Sequence, residues 1–66
     1  MVMVSVLPVM GGWSVVHDLD STPLMFLSGG KAEAKAKQLA ELVRRGGGAA
    51  QLKIFTRDGR LAFVAS

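Results

Sequence analysis

KAEAKAKQLAELVRR, residues 31–45, is the stretch on which the fold turns. With Lys31 as angular origin and about 100° per residue, Ala32, Ala36, Leu39 and Val43 fall in one narrow stripe, with Ala40 and Leu42 at its margins. Lys31, Glu33, Lys37, Gln38, Glu41, Arg44 and Arg45 occupy the opposite side. The residues are strong helix formers, and Glu33 with Lys37 and Glu41 with Arg45 are favourable i,i+4 pairs. Ser28-Gly29-Gly30 precedes the run, with Ser28 or Gly30 as its cap, and Gly46-Gly47-Gly48 ends it after two arginines that suit the helix dipole. The stretch predicts one amphipathic helix with a single narrow apolar stripe.

Everything around the helix alternates with period two. On its C-terminal side, Leu52 to Thr56 and Leu61 to Ala65 are strands joined through Arg57-Asp58-Gly59-Arg60, and Asp-Gly predicts a two-residue type I′ hairpin. Pairing Arg57 with Arg60 sets Thr56 opposite Leu61, Phe55 opposite Ala62, Ile54 opposite Phe63 and Lys53 opposite Val64. Leu52, Ile54, Leu61, Phe63 and Ala65 then share the face that meets the helix, and Lys53, Phe55, Arg57, Arg60, Ala62 and Val64 share the other. On the N-terminal side, Met1 to Val9 is a strand apolar on both faces, with Pro8 at its end or edge because a proline has no amide hydrogen for a ladder. Gly11-Gly12 supplies a turn, and Trp13 to Leu19 is a second strand with Trp13, Val15, His17 and Leu19 on one face. Asp20-Ser21-Thr22-Pro23 reads as a turn cluster before a short extended segment, Leu24 to Leu27. The chain, 1–66, is therefore expected to be a single α+β domain. Its core is a small antiparallel sheet of four to five strands in the order β-β-(β)-α-β-β, with one helix packed on one face.

Sixty-six residues, half of them apolar, make a core too small to be comfortable, because a chain of this size buries only about 60% of its unfolded surface. The usual staples are a disulfide, a metal or a partner. The absence of cysteine excludes disulfides, thiolate metal sites and cysteine nucleophiles, and one histidine, His17, is too few for a transition-metal site. Self-association is the staple left. One helix covers one sheet face, and alternation leaves Phe55, Val64, Val16 and either Met3 with Leu7 or Val2 with Val6 on the other; Phe55, Val64, Val16 and Met3 are the candidate interface of a homodimer. The apolar first strand is also a candidate for exchange between protomers or for edge pairing. The formal charge of +3 and a pI near 10.0 permit nucleic acid, and Lys53, Arg57 and Arg60 on one hairpin face are the candidate contacts. Lys31, Lys35, Lys37, Arg44 and Arg45 form a second basic set, interrupted by Glu33 and Glu41 as on a solvated helix face.

The remaining motifs dissolve on inspection. Ser28-Gly29-Gly30-Lys31 lacks the upstream glycine and the following Ser or Thr of a phosphate loop, having Met25 and Ala32 there. His17 and Asp18 are neighbours on a strand and point to opposite faces, so they form no acid–base dyad. Trp13 reads as a core anchor. The apolar opening lacks a basic leader and falls short of the ~20 apolar residues of a membrane span, so a cytoplasmic protein of bacterial type is expected.

The stretch from Pro8 to Val15, the Lys31-Ala32-Glu33-Ala34 helix start, and Ala50 to Ile54 leading to Arg57-Asp58-Gly59-Arg60-Leu61 resemble the small bacterial domain-of-unknown-function family 2188. There, a Gly-Trp strand leads, a Lys-x-Glu-Ala helix follows and an Asp-Gly strand pair closes the domain. The resemblance implies a small α+β fold and brings no catalytic residue, cofactor or established partner. The reading of the residues is a non-enzymatic, homo-oligomeric interaction or accessory domain without cofactor, metal, membrane or small-molecule substrate. Its alternative is a weak, non-sequence-specific nucleic-acid binder using the basic hairpin.

Overall fold

The computed structural model describes residues 1–18 and 20–65, apart from the side chains at positions 20 and 21. Its elements are β1 (Val2–Val9), β2 (Gly12–His17), β3 (Asp20–Phe26), α1 (Gly29–Arg45), β4 (Ala50–Phe55) and β5 (Leu61–Ala65), and the five strands form one sheet in the order β3-β2-β1-β4-β5. The domain is small α+β with the helix on one face. The sheet is mixed, not wholly antiparallel, because β1 and β4 run parallel. The reason is the crossover: α1 spans 17 residues, about 25 Å, and carries the chain back along the full length of the strands before β4 begins.

β1 is the central strand, which its two apolar faces demand, and within the chain it is therefore not an edge open to pairing. Its pairs with β4 end at Val6 and Ile54, so Pro8, opposite Trp13, lies where β1 has β2 alone beside it, and its missing amide hydrogen costs no ladder bond to β4. β3 begins at Asp20, earlier than the turn cluster implied. Pro23 is tolerated because β3 is an edge strand and because the register with β2 shifts between Val15 and His17. The segment at Leu19, the expected end of the second strand, lies outside the described residues.

Val4, Val6, Val15, Leu52 and Ile54 from the sheet meet Ala32 and Ala36 from the helix in one buried cluster, with Trp13, Leu24, Phe26 and Leu39 packed against it. The only residues of α1 that are fully buried are alanines 32, 36 and 40, which lets the helix backbone lie close to the valines beneath it. Ala40 thus belongs to the buried stripe, whereas Leu42 is exposed. Ser28 caps the start, its side-chain oxygen accepting from the Lys31 amide at 3.4 Å, and Gly46 donates to the Leu42 carbonyl at the end.

The hairpin departs from a type I′ turn. Among the described residues no non-glycine has a positive φ, so Asp58 does not adopt the left-handed conformation that turn requires, and only Gly59 does, at 86°. Gly59 donates to the Thr56 carbonyl at 2.9 Å and Thr56 to the Arg60 carbonyl at 2.7 Å, closing a three-residue loop, Arg57-Asp58-Gly59. Phe55 then faces Leu61 instead of Ala62, while Ile54 still faces Phe63 and Lys53 faces Val64; the one-residue mismatch is absorbed between Leu61 and Phe63 as a bulge.

Gly12 shows how tightly β2 and β3 approach, since a Cβ there would sit 2.4 Å from the Phe26 carbonyl oxygen. Gly12→Ala is expected to destabilise the fold by about 2 kcal/mol or more, because backbone must move. Gly59→Ala, strained only by its φ, is expected to cost about 1 kcal/mol. Urea unfolding followed by Trp13 emission measures both, and equal effects would contradict the close approach at Gly12.

Candidate functional site

The helix lies over β1, β4 and β2 and, at its flank, β3; it does not reach β5. Two surfaces are left without cover. The first is the helix-free side of the sheet. Because Val2, Val4, Val6, Ala50, Leu52 and Ile54 face the helix, the pairs Met3–Gln51, Ser5–Lys53, Ser5–Val16 and Lys53–Val64 all face away from it. Met3, Val16, Phe55 and Val64 are thus brought onto one face, and it is the Met3 and Leu7 set of β1 that joins them. Ser5 sits at the centre between Val16 and Lys53, and Ser14, opposite Leu7 and Met25, is buried even here.

The second surface is β5 itself. Leu61, Phe63 and Val64 are 51%, 46% and 44% exposed. Leu61 stands opposite Phe55 and is not part of the helix-side face; Phe63 is on the helix side, opposite Ile54, but beyond the helix.

The three hairpin cations do not share a face. Lys53 points away from the helix, between Ser5 and Val64. Arg57 goes to the helix side: its guanidinium carbon is 4.5 Å from the centroid of the Trp13 ring, and Nη1 donates to the Val9 carbonyl at 2.9 Å. The same indole lies beneath Gly29, where a Cβ would be 3.0 Å from Cε2. A flat, charged guanidinium gains both a π-face and a carbonyl acceptor there, and that combination overrides the alternation of the strand. Arg60 pairs with Asp58 at 3.4 Å, both fully at the surface, a contact of little energetic weight. No sequence spacing reveals the bond from Arg57 to Val9, which joins residues 48 positions apart.

Asp58 organises the loop. The Thr56 hydroxyl donates to its carboxylate, which holds the Asp58 carboxyl below the ordinary value of 3.8, with the amides of Arg60 and Asp58 adding to that effect against a smaller opposing one from desolvation. The ionised form is favoured by folding, so its contribution is complete above pH 3.8 and is lost as pH falls through the lowered value. Asp18 accepts from the Met3 amide at 2.9 Å. His17 shares the helix-side face with Trp13 and Val15, and its Nδ1 is buried with no hydrogen-bond partner among the described residues. Among the described residues no three acidic or histidine side chains are gathered where a metal ion would fit, and no helix is long and apolar enough to cross a membrane. A shallow hollow of about 170 Å3 lies at the β1–β2 turn, lined by Met10, Gly11, Gly12, Met25, Phe26 and Leu27.

No protein-family model, curated protein or solved structure matches the chain. The resemblance to family 2188 rests on the short motifs at Pro8–Val15, Lys31–Ala34 and Ala50–Leu61 alone.

The clamp on Trp13 makes a prediction. Arg57→Ala is expected to lower stability by about 1 kcal/mol and to move Trp13 emission to longer wavelength, and Arg57→Lys to recover little because it loses the planar fork. Chemical unfolding with emission spectra of the native state checks both; an unchanged spectrum would contradict the stacking.

Proposed function

We propose that the chain is a non-enzymatic interaction domain that works as a homo-oligomer, with the helix-free face of its sheet packed on that of a second copy. The observation that carries the reading is the collection of Met3, Val16, Phe55 and Val64 on a face that no other element among the described residues covers. Area supports it. Five strands about 4.8 Å apart and six residues of about 3.3 Å each give a plane near 480 Å2. Side-chain relief raises its accessible surface toward the roughly 800 Å2 per partner of a standard interface. Two sheets packed about 10 Å apart, with a helix outside each, would also supply the second core layer that a chain of 66 residues lacks.

The placement of the ionisable groups supports a non-enzymatic role. Asp18, Asp58, Glu41 and Arg57 are each engaged in holding the backbone, a turn, a helix or an indole. A cytoplasmic accessory role suits a chain free of cysteine. The second reading, weak nucleic-acid binding through Lys53, Arg57 and Arg60, keeps one observation in its favour: segment 50–65 carries these three cations against the single carboxylate of Asp58. Against it stand the division of Lys53 and Arg57 between opposite faces and the covering of Trp13, the one indole able to stack on a base.

Sedimentation velocity over a concentration series reaching about 500 µM tests the reading. The expected result is a shift toward twice the 7.0 kDa chain mass, abolished in Phe55→Lys. A 7.0 kDa species throughout would overturn it. A mobility shift with random DNA at low salt, lost in Lys53→Ala/Arg60→Ala, would establish the second reading instead.

A further inference from the structure

We propose that the second copy is held in one orientation by two reciprocal ion pairs, Lys53 of each chain with Asp18 of the other, so that the helix-free face selects its own kind by charge as well as by apolar area. The inference rests on self-association through that face and adds its geometry.

Lys53 lies in the middle of this face, half-buried between Ser5 and Val64. It enters neither of the two ion pairs among the described residues, which are Glu41 with Arg45 and Asp58 with Arg60. Covering the face takes its ammonium out of water, and a desolvated cation is costly unless the covering surface brings it an acceptor. The chain itself carries one at the margin of the same face. Asp18 follows β2 directly and is exposed. Its Oδ2 accepts from the Met3 amide at 2.9 Å, which holds the carboxylate in the row of Met3 and Gln51, while Oδ1 has no hydrogen bond among the described residues.

Symmetry decides whether the two charges meet. Two identical faces packed with their strands aligned are related by a two-fold axis in the plane between them, running either across the strands or along them. An axis across the strands lays every strand on its own counterpart, so Lys53 of one β4 meets Lys53 of the other and the like charges repel. An axis along β1, the middle strand of five, lays β4 on β2 of the second copy and β5 on its β3. Lys53 then stands over Val16 of the second copy, on which its methylene stem can rest, because both share the row of Ser5. Asp18 of the second copy stands over Gln51, two residues along β4 from Lys53. Sheets about 10 Å apart and an offset of two residues, about 6.6 Å, separate the two Cα atoms by about 12 Å, a span that an extended lysine, a carboxylate and the hydrogen bond between them bridge. The pair occurs twice, once on each side of the axis.

The test compares wild type, Lys53→Asp, Asp18→Lys and an equimolar mixture of the two variants by sedimentation velocity at up to about 500 µM. Each variant alone sets like charges together at both pairs and is expected to self-associate about tenfold more weakly than wild type. In the mixture every lysine meets an aspartate again, and association is expected to recover to within about threefold of wild type. Lys37→Asp, the same change of net charge on the exposed side of the helix, is expected to leave self-association unaltered. A second readout needs no variant and decides the matter if one of them fails to fold: in wild type mixed from 13C-labelled and unlabelled chains, intermolecular NOEs are expected between the Lys53 side chain and the Val16 methyls. Wild type that stays at 7.0 kDa throughout would overturn the reading of the face and this inference with it. Wild type that dimerises would overturn the ion pairs alone if either folded variant dimerises equally well, if the mixture of folded variants does not recover, or if Lys37→Asp is as damaging. Intermolecular NOEs from Lys53 to Gln51 or Phe55 in place of Val16, the mark of β4 lying on β4, would do the same.

Discussion

An α-helix about 10 Å across rests on a sheet whose strands are about 4.8 Å apart, so one helix covers two to three strands and not five. That mismatch of widths governs the molecule. The helix is placed over the centre, on β1, β4 and β2, and its fully buried residues are alanines, which draws it close to Val4, Val6 and Val15. What is gained in closeness is lost in volume: among the described residues no side chain larger than valine is completely buried. Each fully buried valine contributes about 1.5–3 kcal/mol, a modest sum against the conformational entropy of 66 residues. The uncovered face and the uncovered fifth strand are therefore two consequences of the same geometry, and a partner on either would add the apolar burial that the lone helix cannot.

A second constraint operates at the ends of the strands, where turn chemistry and sheet register compete. The Thr56-to-Arg60 loop takes a three-residue form because Gly59 alone supplies a positive φ and because the Asp58 carboxylate is held by the Thr56 hydroxyl. The core requires Ile54 opposite Phe63 and Leu52 opposite Ala65, since both Ile54 and Leu52 are buried under the helix. The two demands differ by one residue, and the bulge between Leu61 and Phe63 reconciles them. Placing the irregularity at the outer edge, where no further described strand must match it, is the least costly position in the sheet.

The helix, the alternation of β1, β2 and β4, the inner hairpin pairs and the collection of Met3, Val16, Phe55 and Val64 on one face were legible in the sequence, because each follows from periodicity within a short window. The parallel pairing of β1 with β4 was not, since the alternation pattern is the same for either direction and only the length of the crossover decides it. The strand character of Asp20 to Pro23 was hidden because an edge strand tolerates turn-forming residues. Arg57 was misplaced for a different reason: alternation assigns it a face, but Trp13 and the Val9 carbonyl, both far away in sequence, offer its guanidinium more than the strand does. Local rules failed where a long-range contact outweighed them.

The central claim is that the face opposite the helix is the one the protein covers in use. Methyl relaxation by a soluble paramagnetic agent, recorded at low and at high protein concentration, addresses it residue by residue. The account predicts that Val16, Val64 and Met3 methyls become shielded as concentration rises while those of Leu42 and Met10, exposed elsewhere on the surface, stay equally accessible. Relaxation at Val16, Val64 and Met3 that is independent of concentration, or shielding that appears at Leu42 or Met10 instead, would contradict it.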